Sequence, residues 1–319
     1  MANLSTFEGF ICGGLAGCIA VTFTNPAEVA KTRMQLQGEL MKGGGAKVYK
    51  NVFDVLAKTM KNEGVRGMQR GLGPAVLLNG SRLGLYEPFR RRLDSLFGNA
   101  PTNSNVVTSA AAGSLSAIVG STLGNPLFLV KTRMQAYSPV LPVGAQRHYR
   151  HGWEALLTIV REEGAKGLLR GCDAAILRGA IGGSASLFFP PGFVQIPSYV
   201  WTKNLLVSRA IASPDSLWTY LVSSSVSGVI LCLVMQPADT TLTRMYNQPT
   251  VRGPDGRIVG KLYRNPLDCL WKTLRAEGIH GWYKGSTAHF LRIAPHTIIT
   301  LTANDIIVGL YLDARRPRP

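Results

Sequence analysis

The stretch Pro26-Ala-Glu28-Val-Ala-Lys31-Thr-Arg33-Met-Gln35 returns twice in altered form. The second copy is Pro126-Leu-Phe128-Leu-Val-Lys131-Thr-Arg133-Met-Gln135, and the third is Pro237-Ala-Asp239-Thr-Thr-Leu242-Thr-Arg244-Met-Tyr246. A second landmark follows each one. Glu63-Gly64, Glu163-Gly164 and Glu277-Gly278 lead, seven residues after the acid, to Arg70-Gly71, Arg170-Gly171 and Lys284-Gly285. Tyr49, Tyr149 and Tyr263 stand 14 residues before those acids. The proline-to-tyrosine interval is 23, 23 and 26 residues, so the third copy carries a three-residue insertion. Self-similarity of this kind marks a chain built from one repeated supersecondary unit.

Long runs without charge flank these landmarks. Residues 9–27, 105–130, 179–202 and 216–238 contain no Asp, Glu, Lys or Arg, while 71–86 and 285–304 each contain a single arginine. A helix of roughly 20 apolar residues crosses a hydrocarbon layer about 30 Å thick, and the four charge-free runs, 19 to 26 residues long, reach that length. Six spanning helices are expected, two per copy. Ser, Thr, Asn and Gly within them point to a water-filled path rather than a passive anchor. Within one unit a spanning helix meets a proline (Pro26, Pro126 or Pro237), which kinks it by removing a backbone donor. An acid and a base follow, three residues apart. A short amphipathic helix comes next, with Val52, Phe53, Leu56 and Met60 at helical spacing. Three such units predict an all-α membrane protein with six transmembrane helices in three pseudo-symmetric repeats forming a barrel. Residues 1–319 make one membrane transport domain, with repeats over 1–100, 101–207 and 208–319. Gly13 and Gly17 leave room for close helix contact. The long basic loops, 37–70, 137–170 and 245–284, belong in one compartment by the positive-inside tendency, and both termini in the other.

With 35 Lys+Arg against 18 Asp+Glu, the chain carries a formal charge of +17, which calls for an anionic partner: nucleic acid, anionic lipid or a small anion. Charged residues are only 17 % of the chain, which excludes disorder and coiled coil. A soluble nucleic-acid binder would place its basic residues on polar helices, not between six runs with one charge or none, so no nucleic-acid partner is expected. Cys12, Cys18, Cys172, Cys232 and Cys269 show no ligand spacing and read as reduced buried thiols. The five histidines have no metal spacing, and no nucleophile motif or phosphate loop appears, so neither an enzyme nor a cofactor is expected. The first ten residues resemble neither a secretory signal nor an Arg-rich transit peptide. Charge inside a membrane is expensive and marks function. Arg82, Arg178 and Arg292 are placed there, and guanidinium groups bind carboxylate or sulfate bidentately. A small dianion is therefore the expected substrate, in preference to neutral amino acids or cations.

The tripled pattern, Pro-x-acid-x-x-base with a later acid-Gly and base-Gly, resembles the repeat signature of the mitochondrial carrier family over essentially the whole chain. That resemblance implies a multi-pass inner-membrane transporter alternating between matrix-open and cytoplasm-open states. It also implies a monomer associated with lipid such as cardiolipin, with both termini toward the intermembrane space. In that family the residues after the prolines pair between neighbouring repeats to close the matrix side. Carried over, Glu28 pairs with Lys131 and Asp239 with Lys31, while Phe128 and Leu242 replace both members of the third pair. Gln35 and Gln135 take the bracing position, and Tyr246 replaces the third brace. A second motif closes the cytoplasmic side. Tyr86-Glu87-Pro-Phe-Arg90 keeps it; Tyr199-Val200-Trp-Thr-Lys203 lacks the acid, and Asn304-Asp305-Ile-Ile-Val308 keeps only the acid. The implied pairs are Glu87 with Lys203 and Asp305 with Arg90. Losing one partner of a buried pair costs about 3–5 kcal/mol, whereas losing both can be neutral. Both gates therefore read as coherent sets of two ion pairs. Arg82, Arg178 and Arg292 match the family's substrate-contact positions.

More narrowly, Asn79-Gly-Ser81-Arg82-Leu-Gly84-Leu-Tyr86-Glu87-Pro88, Arg170 to Arg178 and Gln195-Ile-Pro197-x-Tyr199 look like the oxaloacetate-carrying branch. That likeness implies oxaloacetate, sulfate and related dicarboxylates as cargo, by symport or antiport. Phosphate, thiosulfate or a tricarboxylate on the same fold remain alternatives. Around Ala185–Phe193, within the expected fourth helix, the chain is longer than the resemblance allows and contains Pro190-Pro191. Either a gene-model error or a genuine insertion accounts for it.

Overall fold

A computed structural model describes residues 6–41, 47–78, 122–182, 195–209, 213, 216–253 and 258–315. The chain forms α1 (Thr6–Leu36), α2 (Val52–Met68), α3 (72–78), α4 (122–136) and α5 (Gly152–Glu163). A 3₁₀ turn (Ala165–Leu169), α6 (Cys172–Gly182), α7 (Gln195–Ser208) and α8 (Leu217–Asn247) follow. A hairpin, β1 (Thr250–Arg252) and β2 (Ile258–Gly260), leads into α9 (Pro266–Glu277), α10 (Ile279–Trp282) and α11 (Ser286–Arg315). The antiparallel hairpin register sets Val251 opposite Val259. It lies in the proline-to-tyrosine interval that is three residues longer in the third copy.

Helices α1 and α8 each run for 31 residues through their prolines. At 1.5 Å per residue each is about 46 Å long, more than a bilayer core requires. The segments Ser225–Asn247 and Ile279–Arg315 are both long and apolar enough to cross a membrane. On α1, Ile11, Leu15, Ile19 and Phe23 form an exposed stripe at four-residue spacing, while Cys12, Ala16 and Ala20 are buried. Ile298, Leu301, Ile306 and Leu310 are likewise exposed on α11. Small residues inside and bulky apolar ones outside suit a lipid surround. Helices α1 and α11 pack along each other, and α6 and α7 pack on α8. A Cβ built at Gly13 would stand 4.0 Å from Asn304 Oδ1 on α11.

The short helices α2, α5 and α9 are built alike. Asn51, His151 and Asn265 cap their starts, accepting from the amides of Asp54, Glu154 and Asp268. Each of those acids accepts in return from the amide of Lys50, Arg150 or Arg264. Reciprocal capping of this kind fixes where a helix begins. The acid-Gly landmark ends α5 and α9 and kinks α2 four residues before its end: Gly64, Gly164 and Gly278 have φ of 64°, 74° and 71°, positive values that glycine adopts without penalty.

One expectation for α2 is corrected. Val52, Phe53, Leu56 and Met60 do not share a face: Val52 is buried, with Val55 and Thr59, whereas Phe53 and Met60 are exposed. Trp153 on α5 and Leu267 and Trp271 on α9 are exposed in the same way. Each short helix presents one side to protein and keeps bulky apolar side chains on the other, so helical spacing alone merges two stripes into one. The extra residues around 185–193 lie outside the described residues.

Two apolar clusters sit where the short helices meet the proline-containing ones. One gathers Leu129, Val130, Tyr149, Ile159, Leu242 and Tyr263, and the other Ala30, Leu36, Tyr49, Val52, Val55 and Val143. Each joins two successive repeats.

Candidate functional site

Immediately past the prolines, the ends of α1, α4 and α8 converge. Lys31 Nζ lies 2.9 Å from Asp239 Oδ2, and Lys131 pairs with Glu28. Gln135 Nε2 donates to Glu28 Oε2 at 3.4 Å and to Asn25 Oδ1 at 3.2 Å. Gln35 accepts from Thr243 Oγ1 at 2.7 Å and donates to Thr240 Oγ1 at 3.3 Å. The Tyr246 hydroxyl donates to Asn125 Oδ1 at 2.7 Å. Phe128 and Leu242 belong to one apolar cluster: Leu242 is buried in it and Phe128 packs against it. An expected result follows from that neighbourhood. Phe128→Asp alone, or Leu242→Lys alone, should cost about 1–4 kcal/mol by burying an unpaired charge. The double variant should recover transport in a proteoliposome assay, giving a favourable coupling in the double-mutant cycle. Simple additivity would show that the two residues do not face each other.

A second layer of charge, to which the motif reading gave no role, lies next to the first. Arg33, Arg133 and Arg244 are wholly buried and pair with Glu63, Glu163 and Glu277 at 2.6, 2.8 and 2.6 Å. Their Nε atoms donate to backbone oxygens of the following repeat: Arg33 to Gln135, Arg133 to Tyr246 and Arg244 to Gln35. The three repeats thus close a ring. Arg70, Arg170 and Lys284 pair with the same three acids. Although burial pushes the Glu163 and Glu277 carboxyls up, hydrogen bonds from Arg133 and Arg244 outweigh it and hold both below the usual range. The available signal was the interval between arginine and acid, 30, 30 and 33 residues, with the same insertion of three.

The residues before the prolines act as well. Asn25 donates to the carbonyls of Met68 and Arg70, Asn125 to those of Leu168 and Arg170, and Gln236 to that of Lys284. The base-Gly landmark is a close approach: a Cβ at Gly71 or Gly285 would lie 3.0 Å from the carbonyl of Lys131 or Lys31. At Gly171 it would lie 2.8 Å from the Tyr246 ring. Beyond the membrane helices, burial pushes the Glu39 carboxyl up to about 7; it accepts from the Tyr263 hydroxyl at 2.9 Å.

Two of the three arginines expected to contact substrate reach the same acids. Arg292 Nη1 lies 2.7 Å from Glu28 Oε1, and Arg178 pairs with Asp239. Arg292 Nε is buried and has no acceptor among the described residues. His289, which nothing in the motifs singled out, places Nδ1 3.1 Å from Asp239 Oδ2 and 3.0 Å from Gln236 Oε1. Arg82, Tyr86, Glu87 and Arg90 lie outside the described residues, as does the side chain of Tyr199. Lys203 is on α7, and Asp305 is exposed on α11.

Comparison with known proteins agrees with this geometry. The family described as "Mitochondrial carrier protein" matches the chain three times, over residues 2–96, 102–206 and 213–315. The chain is 47 % identical over 307 residues to the "Mitochondrial oxaloacetate transport protein" of Saccharomyces cerevisiae, covering 94 % of this chain and 88 % of that one. It is 43 % identical over 305 residues to "Mitochondrial citrate transporter E" of Aspergillus niger, covering 94 % and 92 %. To "Solute carrier family 25 member 35" of Mus musculus it is 40 % identical over 308 residues, covering 95 % and 98 %. Three tandem matches, near-full-length relatives and a threefold ring of paired charges make this chain a member of the mitochondrial carrier family, a family of transporters.

Proposed function

We propose that the protein carries small dianions, oxaloacetate, sulfate and related dicarboxylates, across the mitochondrial inner membrane. The observation that carries this reading is the charge of the inner ring. Lys31, Lys131, Arg178 and Arg292 surround Glu28 and Asp239, so four formal positive charges face two negative ones and leave a surplus of two. A dianion neutralises that surplus, while a neutral solute or a cation does not. The unpartnered Arg292 Nε supplies a ready donor.

The mechanism follows from the shared partners. With the ring paired, the end of the path bordered by the long basic loops is closed. An entering dianion draws Arg178 from Asp239 and Arg292 from Glu28, because its charge is new to the site and theirs is already divided. Each acid then keeps one lysine. The gate is weakened by the loss of two of its four ion pairs, and the matrix-open state gains population. Phe128 and Leu242, with no charge to release, separate without a desolvation penalty from a stranded ion. In this reading the three repeats contribute two spanning helices each to a barrel. Arg82 is a third contact, and Glu87, Arg90, Lys203 and Asp305, with Tyr86 and Tyr199, close the cytoplasmic end. The long basic loops lie in the matrix and both termini in the intermembrane space, and the carrier works as a monomer bearing anionic lipid such as cardiolipin.

The likeness to a citrate transporter favours one second reading, a tricarboxylate, for which Arg82 would supply the third positive charge. Uptake into proteoliposomes separates the two. Labelled sulfate and oxaloacetate should compete for one pathway, with citrate entering at about a tenth of their rate or less. Citrate uptake faster than that of oxaloacetate would replace the first reading with the second.

A further inference from the structure

Buried on α11, His289 touches one of the two acids of the inner ring. Its Nδ1 lies 3.1 Å from Asp239 Oδ2 and 3.0 Å from Gln236 Oε1. The Gln236 amide nitrogen donates to the Lys284 carbonyl at 2.9 Å, so the Oε1 that faces His289 is an acceptor. Two acceptors thus bracket one ring nitrogen, and that nitrogen must carry hydrogen. The tautomer is fixed, and Nε2 is the atom that gains or loses a proton. Two turns further along the same face of α11, His296 is fixed in the same way. Thr24 donates its hydroxyl hydrogen to the Ala20 carbonyl at 2.8 Å, leaving its oxygen to accept from His296 Nδ1, 3.2 Å away.

Which repeat supplies each partner matters as much as the contact. Asp239 and His289 both belong to the third family match, whereas Lys31 and Arg178 reach Asp239 from the first and second. When neighbouring repeats part, the two cations leave Asp239, and the imidazole travels with it. While the ring is paired, a proton on Nε2 faces Lys31 from α1, Arg178 from α6 and Arg292 from its own helix, with Asp239 from α8 to answer them. A bound dianion reverses that balance, because it neutralises the surplus charge and draws Arg178 away.

We propose that His289 is the site of a co-transported proton, taken up at Nε2 together with the dianion. The inference rests on the dianion reading above. With Arg178 on the cargo, the Nδ1–H of the imidazolium replaces it as the second cationic partner of Asp239. One proton moves from solution to Nε2, and no covalent bond to the cargo forms or breaks. The His289–Asp239 pair crosses intact because it lies within one repeat. Once the cargo has left, Lys31 and Arg178 return to Asp239, and their charges expel the proton while the site still faces matrix water. One proton therefore accompanies each dianion.

The test reads the extent of accumulation, so a slow variant still reports. The full chain is reconstituted in liposomes, with the membrane potential clamped at zero by potassium and valinomycin and the external pH one unit below the internal. Labelled sulfate is the probe, because it stays a dianion on both sides and brings no proton of its own. The unaltered chain should concentrate sulfate about tenfold, the ratio that one co-transported proton supports per pH unit. His289→Asn keeps an amide N–H for Asp239 but has nothing to titrate. It should exchange sulfate at equal pH, yet bring net uptake only to equal concentrations. His296 Nδ1 donates to a neutral hydroxyl, so His296→Asn is the control and should reach the full ratio. Full accumulation by His289→Asn would overturn the proposal, and so would a ratio lowered equally by His296→Asn. Loss of exchange as well as accumulation in His289→Asn would make the residue a structural support and not a proton site. An unaltered chain that exchanges sulfate without concentrating it would remove the proton and leave the dianion reading standing. One that moves no sulfate at all would remove both.

Discussion

Arg178→Ala and Arg292→Ala should each abolish uptake of sulfate and dicarboxylates by reconstituted protein while the chain stays folded. Truncating one partner of a desolvated, hydrogen-bonded charge pair costs about 2–5 kcal/mol, a loss of more than tenfold in affinity. Folding should survive because each acid keeps a second cation, Glu28 with Lys131 and Asp239 with Lys31. The expected pattern is thus intact thermal unfolding with uptake at background. Near-normal transport in either variant would remove that arginine from the substrate site. Arg→Lys at the same positions should rescue only partly, since an ammonium cannot reproduce a bidentate fork.

The largest effect on stability is expected one layer further out. Glu277→Ala leaves the wholly buried Arg244 guanidinium without its acid, and Arg244→Ala strands Glu277, whose side chain is 1 % exposed. Each should cost about 3–5 kcal/mol. For a chain of this size that is a fall in melting temperature of roughly 6–15 °C. Asp268→Ala is the control. It removes a largely solvated pair with Lys272, and pairs of that kind contribute about 0–1 kcal/mol, although the bond accepted from the Arg264 amide is lost with it while the Asn265 cap stays. Thermal unfolding in detergent reads all three. Equal melting temperatures for the unaltered chain and for Glu277→Ala would show that the ring of Arg–Glu pairs is not what holds the repeats together.

The two effects separate because the two layers do different work. In the outer layer, arginine and acid belong to one repeat, while the same guanidinium reaches into the next through Gln135, Tyr246 or Gln35. In the inner ring the ion pairs themselves run between repeats, and in the proposed cycle they must break and reform. A buried pair is costly to strand but contributes little net stability when made, which suits a contact that opens repeatedly. An outer pair reinforced by neutral acceptors such as Thr59 and Thr273, to which the Arg33 and Arg244 guanidinium groups also donate, suits a permanent joint.

What the chain's own order of residues determined is the unit and its repetition. Proline, acid and base recur at fixed local spacing, and a helix converts local spacing into a shared face whatever the rest of the molecule does. The two lysine–carboxylate pairs, and the apolar replacement of the third by Phe128 and Leu242, were expected only through the resemblance of that repeated unit to a known family. Tertiary structure alone decided the remainder. Arg178 and Arg292 meet acids 61 and 264 residues away, and His289 meets Asp239 from another helix. No periodicity reports such a distance. The two faces of α2 were equally invisible, because Phe53 and Val52 are both apolar and differ only in what lies opposite them. Arg170 was read as a landmark before a glycine, yet its Nη2 donates to the Ile258 carbonyl of a hairpin 88 residues further on. Local spacing specifies the elements and which residues can act together on one of them. Which charges share a partner, and which are left without one, is set only when distant elements pack and exclude water between them.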